Sequence, residues 1–123
     1  MTSSPALAMA LVVGALALGM SGARADDAGE AVFKRNCAVC HMVAAGQNRL
    51  GPSLAGLVGR KAGTVPGFVY TDANKNSGVT WDEPTLDTYL KDPKAFMPGT
   101  KMIFPGLKDA DARAALIAYL KQQ

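Results

Sequence analysis

Cys37-Ala38-Val39-Cys40-His41 is the stretch on which the reading of this chain turns. Two cysteines stand three positions apart, one helical turn, and a histidine follows at once. That spacing is the signature of covalent haem attachment. Each thiol adds to one of two vinyl groups and leaves a thioether. The histidine next in line is then held under the iron, where a ring nitrogen can serve as proximal ligand. The competing readings are weaker. A thioredoxin-type redox pair needs a βαβ context that the chain does not offer. Structural zinc takes four ligands, and the sequence has two Cys and one His. A plain disulfide of an exported protein would account for the cysteines but not for the adjacent His41, the sole histidine.

Upstream, residues 1–25 read as an export signal, with one domain expected over residues 26–123. Leu7 to Met20 is apolar and short for a bilayer span, which takes about 20 residues. Ala23-Arg24-Ala25 fits the small-x-small cleavage pattern, with Asp26 next. The segment Met1 to Ala6 carries no Lys or Arg, a departure that leaves an uncleaved anchor as the alternative. Export implies a bacterial periplasmic location and suits covalent haem chemistry. Without residues 1–25 the chain is only slightly basic, and two haem propionates bring it close to neutral. That balance gives no reason to expect nucleic acid as a partner.

Downstream, residues 42–70 are rich in breakers, including Gly46, Gly51, Pro52, Gly56, Gly59, Gly63, Pro66 and Gly67. Such a stretch is unusual inside a compact domain unless its side chains pack on a large apolar group. Four helical segments surround it. Asp27 with Glu30 has capping-box spacing for a first helix ending near Asn36, with Ala28, Ala31, Val32 and Arg35 near one another. A short turn is expected at Asp72 to Lys75. Thr80 with Glu83 caps a third helix with Pro84 in its first turn and Leu86, Tyr89 and Leu90 on one face. A last helix begins near Asp109 and buries Ala112, Leu116, Tyr119 and Leu120. No segment alternates as a strand, so the fold class is all-α. Lys91 to Lys108 holds Pro93, Pro98, Gly99, Pro105 and Gly106 and cannot be one helix. It also holds Met97 and Met102, either of which could offer a thioether on the face of the haem opposite His41; Met42, adjacent to His41, could not reach it.

Longer motifs point further. Cys37 to His41, Gly51-Pro52-Ser53-Leu54, Pro66 to Lys75, Gly78-Val79-Thr80-Trp81, Pro98-Gly99-Thr100-Lys101-Met102 and Leu116-Ile117-Ala118-Tyr119-Leu120 resemble class I c-type cytochromes. The likeness is greatest to mitochondrial cytochrome c and bacterial cytochrome c2, and it spans residues 26–123. It implies one covalently bound haem c, attached through Cys37 and Cys40, with His41 and Met102, not Met97, as the iron ligands. It implies that Pro52 accepts the second N–H of His41. Tyr70 and Trp81 would donate to a propionate, with Arg60, Thr71 and Asn74 beside it. Tyr89 and Thr100 would stand near the methionine sulfur. Leu54, Leu90, Phe104 and Leu116 would be pocket walls, and Gly29 and Phe33 would meet the last helix.

The resemblance also implies a function. A six-coordinate iron has no open position for a small-molecule substrate, so a soluble, monomeric one-electron carrier is expected, not an enzyme. Its partners would be membrane electron-transfer complexes, met transiently and electrostatically, such as a cytochrome bc1 complex and an oxidase or photosynthetic reaction centre. A haem enzyme with weak peroxidase activity, or a membrane-docked haem subunit, is the alternative. Lys94, Lys101, Lys108 and Arg49 match parts of the family's basic rim. Ala31, Asn36 and Ala95 stand where lysines are expected, and Asp109 adds an acid, so the docking field should be weaker.

Overall fold

Among the described residues, five helices and long connecting loops enclose a large cavity. The computed structural model describes residues 22–123. The helices are α1 (Gly22–Asn36), α2 (Asp72–Lys75), α3 (Glu83–Lys91), α4 (Pro93–Phe96) and α5 (Ala110–Leu120). Among the described residues the only extended pairing is an isolated antiparallel bridge between Lys61 and Thr80. The all-α expectation is met. Residues 1–21 of the expected export segment lie outside the described residues. None of the described helices is long and apolar enough to cross a membrane.

The helix ends differ from expectation in three places. Asp27 does not cap α1, because Gly22 to Ala25 already belong to the helix. Ala23 and Ala25 are strong helix formers and let the helix run past Asp27. Asp82, not Thr80, caps α3, its carboxylate accepting from the Thr85 N–H at 2.8 Å. Thr80 is engaged in the bridge to Lys61 instead. The breaker-rich segment after α3 contains the short α4, capped by Asp92, which accepts from the Ala95 N–H. Pro93 opens it, as proline can in a first turn. The caps of α2 by Thr71 and of α5 by Asp109 use the same device.

Packing is organised by the crossing of α1 and α5. The buried face of α1 is Gly29, Val32 and Phe33, while Ala28, Ala31 and Arg35 are exposed. A Cβ on Gly29 would run into the Ala115 carbonyl and the Tyr119 Cβ, so the backbones meet where a side chain is missing. The Phe33 and Tyr119 rings stack beside this point with centroids 5.6 Å apart. On α5 the buried residues are Arg113, Leu116, Ile117 and Leu120, whereas Ala112 and Tyr119 are half-buried. An arginine inside is stable only because its charge and N–H groups find partners, described below. From α3, Leu86, Tyr89 and Leu90 are buried as their spacing predicts.

Replacing Gly29 with alanine tests the crossing. Alanine is favoured over glycine in a helix by about 1 kcal/mol. Overpacking against a carbonyl costs about 1–3 kcal/mol. We expect a net loss of stability, seen as a lower denaturant midpoint of the haem-loaded protein. A midpoint that rises would show that the helices have room to spare.

Candidate haem pocket

The attachment turn continues directly from α1. The N–H groups of Cys40 and His41 both bond the Cys37 carbonyl, at 3.0 and 2.9 Å, keeping one helical turn closed over the motif. Cys37 and Cys40 are not joined in a disulfide. Burial, with a smaller contribution from Cys40, pushes the Cys37 thiol up to about 11. Arg49 braces the turn from outside, its Nη1 donating to the Ala38 carbonyl at 3.2 Å.

His41 is oriented by two neighbours. Its Nδ1 lies 2.8 Å from the Pro52 carbonyl oxygen. A carbonyl only accepts, so the proton sits on Nδ1 and Nε2 keeps its lone pair. The imidazole lies so close to Gly51 that a Cβ there would collide with the ring. Burial lowers the His41 pKa, partly offset by the Pro52 bond and reinforced by the Arg60 cation. The ring is therefore held neutral, as a metal ligand must be.

These residues face a cavity of about 500 Å³. Every residue for which the sequence suggests a haem contact lines it: Cys37, Cys40, His41, Pro52, Arg60, Tyr70, Thr71, Asn74, Trp81, Tyr89, Thr100 and Met102. Leu54, Leu90, Phe104 and Leu116 form walls. The two candidate methionines part company. Met97 is 3% exposed and packed in the core, whereas Met102 lines the cavity. The Tyr89 hydroxyl donates to the Met102 sulfur at 3.6 Å, and the Met102 N–H bonds the Thr100 hydroxyl at 3.3 Å. Burial raises the Tyr89 pKa, against a smaller opposing effect of Thr100, so the phenol remains a donor.

The polar lining comes from Arg60 to Trp81. Arg60 is held by the carbonyls of Ala55 and Ser53, at 2.9 and 3.1 Å. The Tyr70 hydroxyl accepts from the Val65 N–H at 3.1 Å, which leaves its own proton to donate. The Thr71 hydroxyl accepts from the Asn74 N–H at 3.2 Å and likewise keeps a proton. Among the described residues the buried Asn74 Oδ1 finds no hydrogen-bond partner. Such an atom is costly unless something fills the space beside it.

The comparisons with known proteins agree with this architecture. The family model for cytochrome c matches residues 27–123. The chain belongs to the cytochrome c family. It is 54% identical over 110 residues to cytochrome c2 of Blastochloris viridis, covering 87% of this chain and 86% of that one. It is 55% identical over 98 residues to cytochrome c of Cannabis sativa, covering 79% and 88%. Among solved structures it is similar to cytochrome cH from Methylobacterium extorquens, with a TM-score of 0.74, 45% identity, and coverage of 80% and 98%. The cofactor of this family is one covalent haem c.

The residues present fit that group. A flat apolar macrocycle suits the leucine and aromatic walls. The Arg60 guanidinium and the Tyr70 and Thr71 hydroxyl protons suit anionic propionates. The orphaned Asn74 amide belongs to the same polar lining, and its two ends are interchangeable by rotation. Phe68, Leu57 and Ile103 also line the cavity and were not singled out from sequence, and Leu86, expected on the buried face of the third helix, lines it too. Phe68 had a signal, its spacing of two from Tyr70, and the two rings pack edge to face with centroids 4.9 Å apart.

Much of the apolar core therefore surrounds the cofactor's space. Changing both Cys37 and Cys40 to alanine should leave a largely unfolded chain, because binding free energy acts here as folding free energy. Far-ultraviolet circular dichroism of the haem-free variant measures this. A native-like helical spectrum would mean the loops hold together alone.

Proposed function

We propose that this chain is a soluble, monomeric one-electron carrier of the bacterial periplasm. The observation that supports this most is the convergence of His41 and Met102 on one cavity that also receives Cys37 and Cys40. When bound, the haem supplies the ferric/ferrous couple. His41 would hold the iron through Nε2, its orientation set by Pro52. Met102 would hold it from the other side, and a thioether there favours the reduced state and raises the potential. Tyr89 fixes the direction of the sulfur by its hydrogen bond. With His41 and Met102 both holding the iron, no position on it would be left for a substrate. No second histidine exists in the sequence to serve as a distal acid or base.

The partner surface would be the mouth of the cavity. Val39, Leu50, Val69 and Ile103 are the exposed large apolar side chains, at 71–96% exposure. Three of them, Val39, Leu50 and Ile103, line the cavity. An apolar patch on the surface marks an interaction site, here for brief contact with membrane electron-transfer complexes such as a cytochrome bc1 complex and an oxidase or reaction centre. The lysines that the resemblance assigns to the rim divide into two kinds. Lys101 reaches the Val69 carbonyl and lies over the Phe68 ring, 4.6 Å from its centroid. Lys108 donates to the Lys91 carbonyl at 2.7 Å. These two fasten loops as well as carrying charge. Lys94, exposed on α4, is the cleaner steering charge.

Met102→Ala should abolish the weak sulfur-to-iron absorption band at the red end of the spectrum and lower the reduction potential. Met97→Ala should spare the band while costing about 2–5 kcal/mol of stability through the cavity it leaves. The reverse pattern would move the ligand to Met97.

Lys94→Glu should slow electron transfer to an acidic partner several-fold at low salt, and the effect should fade once the screening length falls below about 8 Å. Lys75→Glu should matter less, since Lys75 is paired with Asp72 at 3.6 Å. Stopped-flow rates across ionic strength decide it. Equal effects of the two changes, or rates indifferent to salt, would remove this rim from docking.

A further inference from the structure

We propose that Arg113 is a positioning residue for Met102, acting through the exit of the Met102 loop, and that Asp87 orients it. This rests on Met102 being an iron ligand. Arg113 lies on α5 and is not part of the cavity lining. Its side chain is 7% exposed. Burying a guanidinium is unfavourable unless its charge and N–H groups are met. They are met in a particular way. Nε donates to Asp87 Oδ1 on α3 at 2.8 Å. Nη1 donates to the carbonyls of Leu107 and Lys108, both at 2.9 Å. One side chain thus ties α5, α3 and the end of the Met102 loop together.

The same loop end is fastened to the last carbonyls of α3. The Leu107 N–H bonds the Leu90 carbonyl at 2.7 Å, and the Lys108 ammonium bonds that of Lys91. Gly106 lies against the Lys91 carbonyl with no room for a Cβ. The entry of the loop is fixed separately, by buried Met97, whose carbonyl accepts from the Thr100 N–H at 3.1 Å. Met102 hangs between these anchors. Among the described residues its own hydrogen bonds are the two to Thr100 and Tyr89. Neither ties its backbone to another element. The backbone at Met102 therefore takes its place from where the loop is pinned, by Lys101 on the Val69 carbonyl and at the exit by Arg113, while Tyr89 directs the sulfur.

Cyanide binding to the ferric haem-loaded protein tests this, because the anion takes the iron position only when the sulfur has left it. Arg113→Lys keeps a charge but loses the planar fork that serves an acid and two carbonyls together. Asp87→Ala removes the orienting acid. Asp87 is half exposed, so this variant carries the test if Arg113→Lys fails to hold haem. Each should bind cyanide about tenfold faster than the parent, equivalent to about 1.4 kcal/mol in favour of the released loop. The denaturant midpoint for loss of the sulfur-to-iron band should fall further than that for loss of helical circular dichroism. Unchanged cyanide rates, or the two midpoints falling together, would reduce Arg113 to a general brace and overturn the proposal. Met102→Ala separates the two ideas. If it binds cyanide no faster than the parent, Met102 is not the ligand. If it binds faster while both clamp variants match the parent, Met102 stands and the clamp falls.

Discussion

The hydrogen bond from His41 Nδ1 to the Pro52 carbonyl sets the geometry that the other parts of the pocket must meet. It selects the tautomer, aims Nε2 and ties the attachment turn to the loop eleven residues later. Gly51 is required beside it because the ring occupies the space of a side chain. From there the chain has little freedom. The cysteines are fixed by the turn after α1, and Met102 lines the same cavity of about 500 Å³. The walls come from every helix-bearing part of the chain except α4, whose Phe96 supports them from behind by packing against Trp81 and Tyr89. A hydrophobic core built this way is a shell around a guest, and its stability depends on that guest.

Much of this was legible in the residues. The Cys37 to His41 spacing has one dominant chemical meaning, and the periodicity of Leu86, Tyr89 and Leu90 or of Leu116 and Leu120 is that of a buried face. What escaped had physical reasons. Apolar spacing said nothing about Arg113, because its burial depends on Asp87 and two carbonyls that only the fold brings near. Thr80 and Asp82 are both good caps, and the bridge from Thr80 to Lys61 decided between them. Ile103 gave no periodic signal because it sits in a loop, and the spacing of Phe68 from Tyr70 gained its meaning only from the edge-to-face packing of the two rings. Met97 and Met102 were alike by spacing alone, and only a longer motif distinguished them.

Charge shows the same lesson. A lysine in sequence is a unit of positive surface, but Lys101 and Lys108 also hold backbone carbonyls. Their removal would change loop geometry along with field. Under the proposed function, docking and positioning of the pocket would share residues, which would couple the strength of partner contact to the rigidity of the loops that shape the site.

The crossing of α1 and α5 brings together segments from opposite ends of the described chain. Gln122 bonds Asp26 at 3.0 Å, and the Gln123 carbonyl accepts from Gly56. Contacts so distant along the chain form late, after the loops between them have closed. A chain delivered from its first residue onward presents Cys37 and Cys40 before residues 110–120 can dock on α1. The last helix works as a latch in time as well as in space. Once it docks on Gly29, the helix that leads into the attachment turn is held in its final position.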